Sequence, residues 1–518
     1  MKTKKWTIIF LFIVIVAFII GGCGKKETTP PADTRQQEGE KTGQVKIIPL
    51  KIENEPIVAF KFVFHTGSMD DPEGKNGLAY LTAQMLAKGG TQTNSFQTIL
   101  EKLFPMASTY RVRVDREYTT FYGETHKDNS RGFYNLFKEA LLEPGFRSDD
   151  FQRLQAENIN FIKNRLRYDD NEELGKAVFK AFVYRGTRYE NNVRGKVADL
   201  EKITLEEVKG FYNSHFSRDK LIVGISGNFP DSLVEQINSD FSQLPAGTVS
   251  PGKPVVPGAI KGLQVLIVEK PGDSTGIHIG FPIKIMRKDP GFHALFLANS
   301  WLGEHRHAAS HLYQVIRERR GMNYGDYSYI EDFPEGGLWQ FPPTNIYKNP
   351  QLFEIWIRPV ENDKREFALR AALRELKKLV DKGMKKEDFE LTKQFLSKYY
   401  LHFASSTAQR LGYKIDDHIF ALKESYLENF KKHIRSLTLD QVNQAIKTHL
   451  QYENLKIVFV TSDAEKLKNL LVNNAPSPIK YRTPKPEEIM AEDKLIEVFP
   501  LKVLPENVEI INIEQVFQ

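Results

Sequence analysis

The chain has 518 residues, 41% hydrophobic and 27% charged, a composition of folded protein that excludes a collagenous, a fully disordered or a polytopic membrane chain. Its formal charge is +6, falling to +3 (69 basic against 66 acidic residues) once Lys2, Lys4 and Lys5 are set aside with the leader, which is too mild for the basic stripe of a nucleic-acid binder. Cys23 is the only cysteine, so no intramolecular disulfide and no cysteine-built metal cage can form.

In chain order, Lys2, Lys4 and Lys5 precede thirteen apolar residues, Ile8 to Ile20, and then Gly21, Gly22 and Cys23. A basic region, an apolar core and a small-residue cleavage site in that order predict a secretory signal over residues 1–22. The run is shorter than the ~20 residues that span a bilayer, which favours a cleaved signal over its alternative, a permanent anchor. The ending Ile20-Gly21-Gly22-Cys23 resembles the lipobox of bacterial lipoproteins, which implies lipidation at Cys23 and a membrane-tethered, exported protein of the cell envelope. Gly24 after the cysteine leans, by the same resemblance, toward an outer membrane facing the periplasm. Residues 23–44 are rich in Lys, Glu, Thr, Pro and Gln and nearly free of apolar side chains, so they read as a disordered tether.

The remainder is written twice. Ile203-Thr-Leu-Glu-Glu-Val to His215, then the apolar run from Leu221, recur as Leu437-Thr-Leu-Asp-Gln-Val to His449, then Leu455, at a constant offset of 234. In each copy a threonine (Thr204, Thr438) stands three residues before Glu207 or Gln441, the spacing of a helix capping box. Gly145 and Asp150-Phe151 match Gly383 and Asp388-Phe389 at an offset of 238. Such a period is far longer than the ~20–50 residues of solenoid units, so a whole domain is duplicated. The halves are 45–246 and 259–475, separated by the Pro/Gly-rich linker 247–258, where few contacts should cross, and followed by an extension, 476–518, wrapping the second half. Strand-forming stretches Ile57–Phe64, Tyr110–Tyr122, Gly276–Phe281 and Leu352–Pro359 alternate with helical blocks, which predicts an α+β fold with helices on mostly antiparallel sheet.

Gly77-Leu-Ala-Tyr80-Leu-Thr-Ala83-Gln84, after an apolar strand and the turn Gly67 to Gly74, resembles the active-site helix of the insulinase/pitrilysin zinc metallopeptidases. Two tandem α+β halves are also that family's architecture, so the resemblance implies an insulinase-like, LuxS-type sandwich in each half and a clamshell formed by the pair. The family carries H-x-x-E-H on this helix, two zinc ligands one turn apart and a general base. Those positions here are Tyr80, Ala83 and Gln84, and the family's third ligand, a later glutamate, falls by count on Phe161, with Glu157 one turn earlier. Alanine has no donor atom and glutamine is no base, so zinc, the cofactor the family implies, has lost its ligands, and no catalytic residue is assigned.

Arg317 and Tyr324, seven residues apart around Gly321, resemble the family's arginine–tyrosine pair, which implies that they hydrogen-bond a peptide's backbone across the chamber, the tyrosine from a strand. His305, His307 and His311 form the one dense histidine cluster, with His307 and His311 on one face if the segment is helical, a spacing that can bind zinc. No G-x-x-x-x-G-K-[ST] occurs. The resemblance implies a non-catalytic, peptide-binding lipoprotein that forms a heterodimer with an active zinc-containing relative; the alternatives are a peptidase acting alone through a displaced metal site, such as those histidines, and a structural envelope lipoprotein.

Overall fold

Ile-Val-Ala-Phe-Lys-Phe-Val-Phe, an almost unbroken apolar run, forms a strand that is buried along nearly its whole length, as a strand must be when both faces of its sheet are covered. It belongs to the first of two sheets in the computed structural model, which describes residues 45–247, 254–333 and 340–518. The leader, Cys23 and the tether lie outside the described residues, as do residues 248–253 of the linker. The first sheet comprises β1 (Lys46–Lys51), β2 (Ile57–Phe64), β3 (Thr109–Val114), β4 (Thr119–His126) and β5 (Leu221–Gly227), in the order β1-β5-β2-β4-β3. Only β1 and β5 run parallel.

The second sheet repeats this pattern. It contains β6 (Leu263–Glu269), β7 (Ser274–Ile283), β8 (Asp326–Tyr329), β9 (Gln351–Glu361), β10 (Leu455–Thr461) and β11 (Val508–Asn512), ordered β11-β6-β10-β7-β9-β8. Without β11 the order and the directions are those of the first sheet, with β6 parallel to β10 and the other neighbours antiparallel. The chain is therefore an α+β protein of two equivalent halves. The stretch Tyr110–Tyr122 is two strands, not one, because Asp115, Arg116 and Glu117 form a tight turn closed by the Asp115 amide on the Tyr118 carbonyl (2.9 Å).

Alternation along β2 sorts its side chains to two cores. Phe60, Phe62 and Phe64 face the helices of their own half, Leu78–Lys88, Ser130–Leu142, Leu205–His215 and Asp231–Phe241 among them. Val63, on the opposite face, meets Leu411, Ile415 and Ile419 from helix Thr407–Ile419 of the second half. The exchange is reciprocal: Leu174, Val178, Phe179 and Phe182 of helix Asn171–Val183 in the first half cover Leu266, Val268, Val458 and Val460 of the second sheet.

The expectation that few contacts cross between the halves is thus corrected. Each sheet has two apolar faces, and its own half supplies helices for only one of them. The duplication extends to the glycines at these crossings. Gly412 stands 237 residues after Gly175, each inside an exchanged helix. A Cβ at Gly175 would lie 2.4 Å from His278 Nε2 on β7, and one at Gly412 2.7 Å from Lys61 Nζ on β2.

The C-terminal extension touches both halves. Helix Glu487–Glu497 packs on helix Arg365–Lys382, and β11 adds to the edge of β6 in parallel. The last residues then return to the first half: the buried Arg167 donates to the Val516 carbonyl (2.9 Å) and to Gln518 Oε1 (3.0 Å), and the Val197 amide donates to the Phe517 carbonyl (3.0 Å). No helix among the described residues is long and apolar enough to cross a membrane.

Candidate functional site

Helix Leu78–Lys88 begins at Gly77, whose φ of 100° is a left-handed conformation that glycine adopts freely. Asp71 accepts hydrogen bonds from the amides of Gly77 and Ala79, both at 2.7 Å, and so satisfies two donors of the first turn. Burial pushes its carboxyl up to about 7, against the two bonds. Gly195 (φ 93°) passes so close that a Cβ there would stand 2.2 Å from the Asn76 carbonyl oxygen, and one on Gly77 would stand 2.7 Å from that of Arg194. The loop carrying Arg194 is therefore pressed against the start of the helix.

Arg194 is the residue that organises this site. Its guanidinium carbon lies 3.7 Å from the centre of the Phe161 ring and 4.7 Å from that of Tyr80. Nη1 donates to the Tyr80 hydroxyl and to Asn158 Oδ1 (3.4 Å), while Asn158 Nδ2 donates to the Arg194 carbonyl (2.8 Å). Asn158 ends the turn before Phe161, which opens the π-helical stretch Phe161–Asp169. Ala83 and Gln84 are buried, Ala83 wholly within the first core. Glu157 is exposed and paired with Arg153 (3.3 Å), so Phe161 and not Glu157 reaches this group.

These residues do not fit a zinc ion. The family's metal needs nitrogen, sulfur or carboxylate donors. Alanine and phenylalanine have none, and the Tyr80 hydroxyl accepts from a permanent cation. Among the described residues no group of three or more His, Cys, Asp or Glu side chains is arranged to hold a metal.

The histidine cluster is corrected likewise. Residues 304–310 are turns rather than helix, with Arg306 at φ 54°, so His307 and His311 do not share a helix face. His305 is buried against the Tyr329 hydroxyl (2.7 Å), His307 packs on Phe395, and His311 bonds Glu375 (2.7 Å) while stacking on Trp301. Three partners in three directions make no common site.

Arg317 lies on the π-helical turn Tyr313–Glu318, its guanidinium 5.0 Å from the Tyr313 ring centre and paired with Glu318. Gly321 (φ 65°) ends that turn. Tyr324 occupies a bend just before β8, not the strand itself, because the strand's ladder begins only at Asp326. It is 76% exposed, a large side chain presented to solvent. Arg317 is about one third exposed. No contact joins the two side chains to each other, and nothing places them beside Arg194.

A buried ionic group between the halves has no local sequence signal. Lys180 pairs with Asp332 (2.6 Å), and Lys348 bridges Asp332 and Asp115, the latter at 3.4 Å. His278 bonds Glu354 (2.7 Å), and Lys176 Nζ sits 3.9 Å over the Trp356 ring. Burial holds the ammonium groups of Lys176 and Lys180 down to about 8. Helix Asn171–Val183 supplies both lysines, one turn apart on its sheet-facing side.

Comparison with known proteins agrees with this architecture. Residues 47–195 match the model described as Insulinase (Peptidase family M16), and residues 202–396 match Peptidase M16 inactive domain. The chain belongs to the insulinase family, peptidase family M16. It is 21% identical over 437 residues to a protein of Helicobacter pylori named Non-peptidase homolog YmxG, covering 82% of this chain and 94% of that one. To an uncharacterized zinc protease YmxG of Bacillus subtilis it is 18% identical, over 76% and 92% of the two chains. A match to an uncharacterized zinc protease of Streptomyces coelicolor, 22% identical, spans 57% of this chain and 65% of that protein. Among solved structures, a peptidase M16 inactive domain from Pseudomonas fluorescens superposes with a TM-score of 0.71 at 20% identity, over 82% and 97% of the chains. A protease from Helicobacter pylori does so at 0.69 and 15%, over 81% and 98%. These likenesses show the fold.

Proposed function

We propose that this chain is an exported, lipid-anchored member of the insulinase family that does not hydrolyse peptides itself, carries no zinc, and binds peptide or unfolded polypeptide as the partner of a zinc-containing relative. The observation that carries the reading is that Tyr80, Ala83, Gln84 and Phe161 stand where the family's chemistry needs two histidines and two glutamates, with Tyr80 and Phe161 packed on Arg194. The name non-peptidase homolog given to the Helicobacter relative supports it. Arg317 and Tyr324 are the residues assigned to peptide binding: the guanidinium offers a rigid fork of donors to backbone carbonyls, and the exposed phenol offers one more. Cys23 is the assigned lipid site, after cleavage of residues 1–22, with the periplasmic face of an outer membrane as the location.

The test is co-expression with an insulinase-family relative from the same source that keeps H-x-x-E-H. The expected result is a stable complex whose peptidase activity falls at least tenfold on Arg317→Ala in this chain, while this chain alone is inactive. Peptide cleavage by the isolated chain that is abolished by a chelator would refute the reading. Metabolic labelling with a fatty acid, lost in Cys23→Ser, checks the anchor.

A further inference from the structure

The Arg194 group does more than fill a site that has lost its ligands. Three elements meet on one guanidinium: helix Leu78–Lys88 through Tyr80, the end of helix Ser148–Asn160 through Asn158, and the π-helical stretch through Phe161. The arginine cannot drift from this place. Its carbonyl is held by Asn158 Nδ2 at 2.8 Å, its amide donates to Asn192 Oδ1 at 2.9 Å, and the glycine that follows it is packed against Asn76.

By the family's motif, Tyr80 and Phe161 are the positions of the first and third zinc ligands, on the same two helical segments. We infer that Arg194 is a built-in cation that has taken the zinc ion's place, tying those segments together as the metal would through its ligands. A guanidinium stays charged at every physiological pH, needs no loading, and bonds to a phenol and two aromatic faces as no zinc ion would. Its charge also bars the metal. A dication placed among ligands at positions 80, 84 and 161 would stand within a few ångströms of a fixed positive group in a partly buried site, where repulsion is weakly screened. Loss of zinc in this chain is then a replacement, and restoring the ligands alone does not reverse it. The inference holds whether or not the chain pairs with a relative.

Two full-chain variants test this. The first, Tyr80→His, Gln84→His and Phe161→Glu, restores three ligands and keeps Arg194; the second adds Arg194→Ala. Ala83 is left alone because a carboxylate there would be buried in the core. Zinc affinity is measured by competition with a chromophoric chelator, and zinc per chain by elemental analysis after dialysis. The expected result is about one zinc per chain in the second variant and at least 100-fold weaker binding in the first. Equal affinities would overturn the inference.

Amide hydrogen exchange in the single variants Arg194→Met and Arg194→Lys decides the matter if the multiple variants do not fold. Exchange over Leu78–Lys88 and over Phe161–Asp169 should rise together, at least tenfold with methionine and less with lysine. A rise confined to the Arg194 loop, or equal effects of methionine and lysine, would refute the tie.

Discussion

Replacing Gly175 with alanine should destabilise the protein, although the same change in an open helix stabilises it. Gly175 lies inside helix Asn171–Val183, and the added Cβ would stand 2.4 Å from His278 Nε2 and 2.6 Å from its Cδ2, where ordinary carbon contacts are ~3.5–4.0 Å. His278 has no room to yield: it is fully buried, bonded to Glu354 at 2.7 Å, and stacked between Phe179 and Trp356, with ring centres 6.0 and 6.2 Å away. The helix must retreat by about 1 Å, loosening Leu174, Val178 and Phe179 from the second sheet. Overpacking of this kind costs ~1–3 kcal/mol, and the gain in helix propensity from glycine to alanine is ~1 kcal/mol, so the net loss is ~0–2 kcal/mol, centred on ~1.

Gly210 supplies the control. It sits in helix Leu205–His215 with nothing within 4 Å of a built Cβ, so Gly210→Ala should gain ~1 kcal/mol. Urea unfolding of the two variants and the parent chain, followed by tryptophan fluorescence, reads the sign directly, since Trp356 stands beside His278. A midpoint that rises for Gly175→Ala as it does for Gly210→Ala would refute the close approach of helix and sheet, and with it the exchange of helices between the halves.

Other outcomes follow from the buried charges and the tail. Asp332→Asn leaves the buried Lys180 and Lys348 short of a counter-charge and should cost ~3–5 kcal/mol in urea unfolding, whereas Lys51→Met, which breaks an exposed pair with Asp231, should change stability by less than ~1 kcal/mol. Burial raises the Glu375 carboxyl, but hydrogen bonds from His311 and Lys378 outweigh it and hold the group at about 2, below its ordinary 4.5. A carboxyl lowered on folding contributes stability that is present above 4.5 and lost as pH falls toward 2, so Glu375→Gln should weaken the protein at neutral pH and flatten its loss of stability across that acid range. Deleting residues 513–518 strips Arg167 of its bonds to Val516 and Gln518, and limited trypsin digestion should then cut within Phe161–Asp169 faster than it does in the parent chain.

What could be read in the sequence was whatever repeats or alternates locally. The constant offset between Ile203 and Leu437 marks the duplication, and the capping boxes at Thr204 and Thr438 are both formed, the side-chain oxygen accepting the amide of Glu207 or Gln441 at 3.3 Å. The helix exchange was not legible, because the apolar stripe of Asn171–Val183 shows that the helix buries a face but not which sheet receives it. The shared face of His307 and His311 assumes a helix between them, whereas that segment is turn and the helical residues begin only at His311. Arg194 gave no signal at all: it sits in an Asn-rich turn before a glycine, and its partners lie 114 and 36 residues away in the chain. Only the loss of ligands at Tyr80 and Phe161 could have prompted a search for a substitute cation.

The exchanged helices also govern the order in which the chain can fold. Helix Asn171–Val183 lands on β10, whose first residue, Leu455, is made 272 residues after the helix ends. Arg167 in the first half finds partners in Glu514, Val516 and Gln518, 347 to 351 residues further along the chain. A nascent first half therefore waits with one sheet face and one helix stripe uncovered until the second half has been made. Contacts so distant in sequence fold slowly and leave apolar surface open to aggregation meanwhile. The halves repeat in structure but cannot be separate folding units: each is completed by the other.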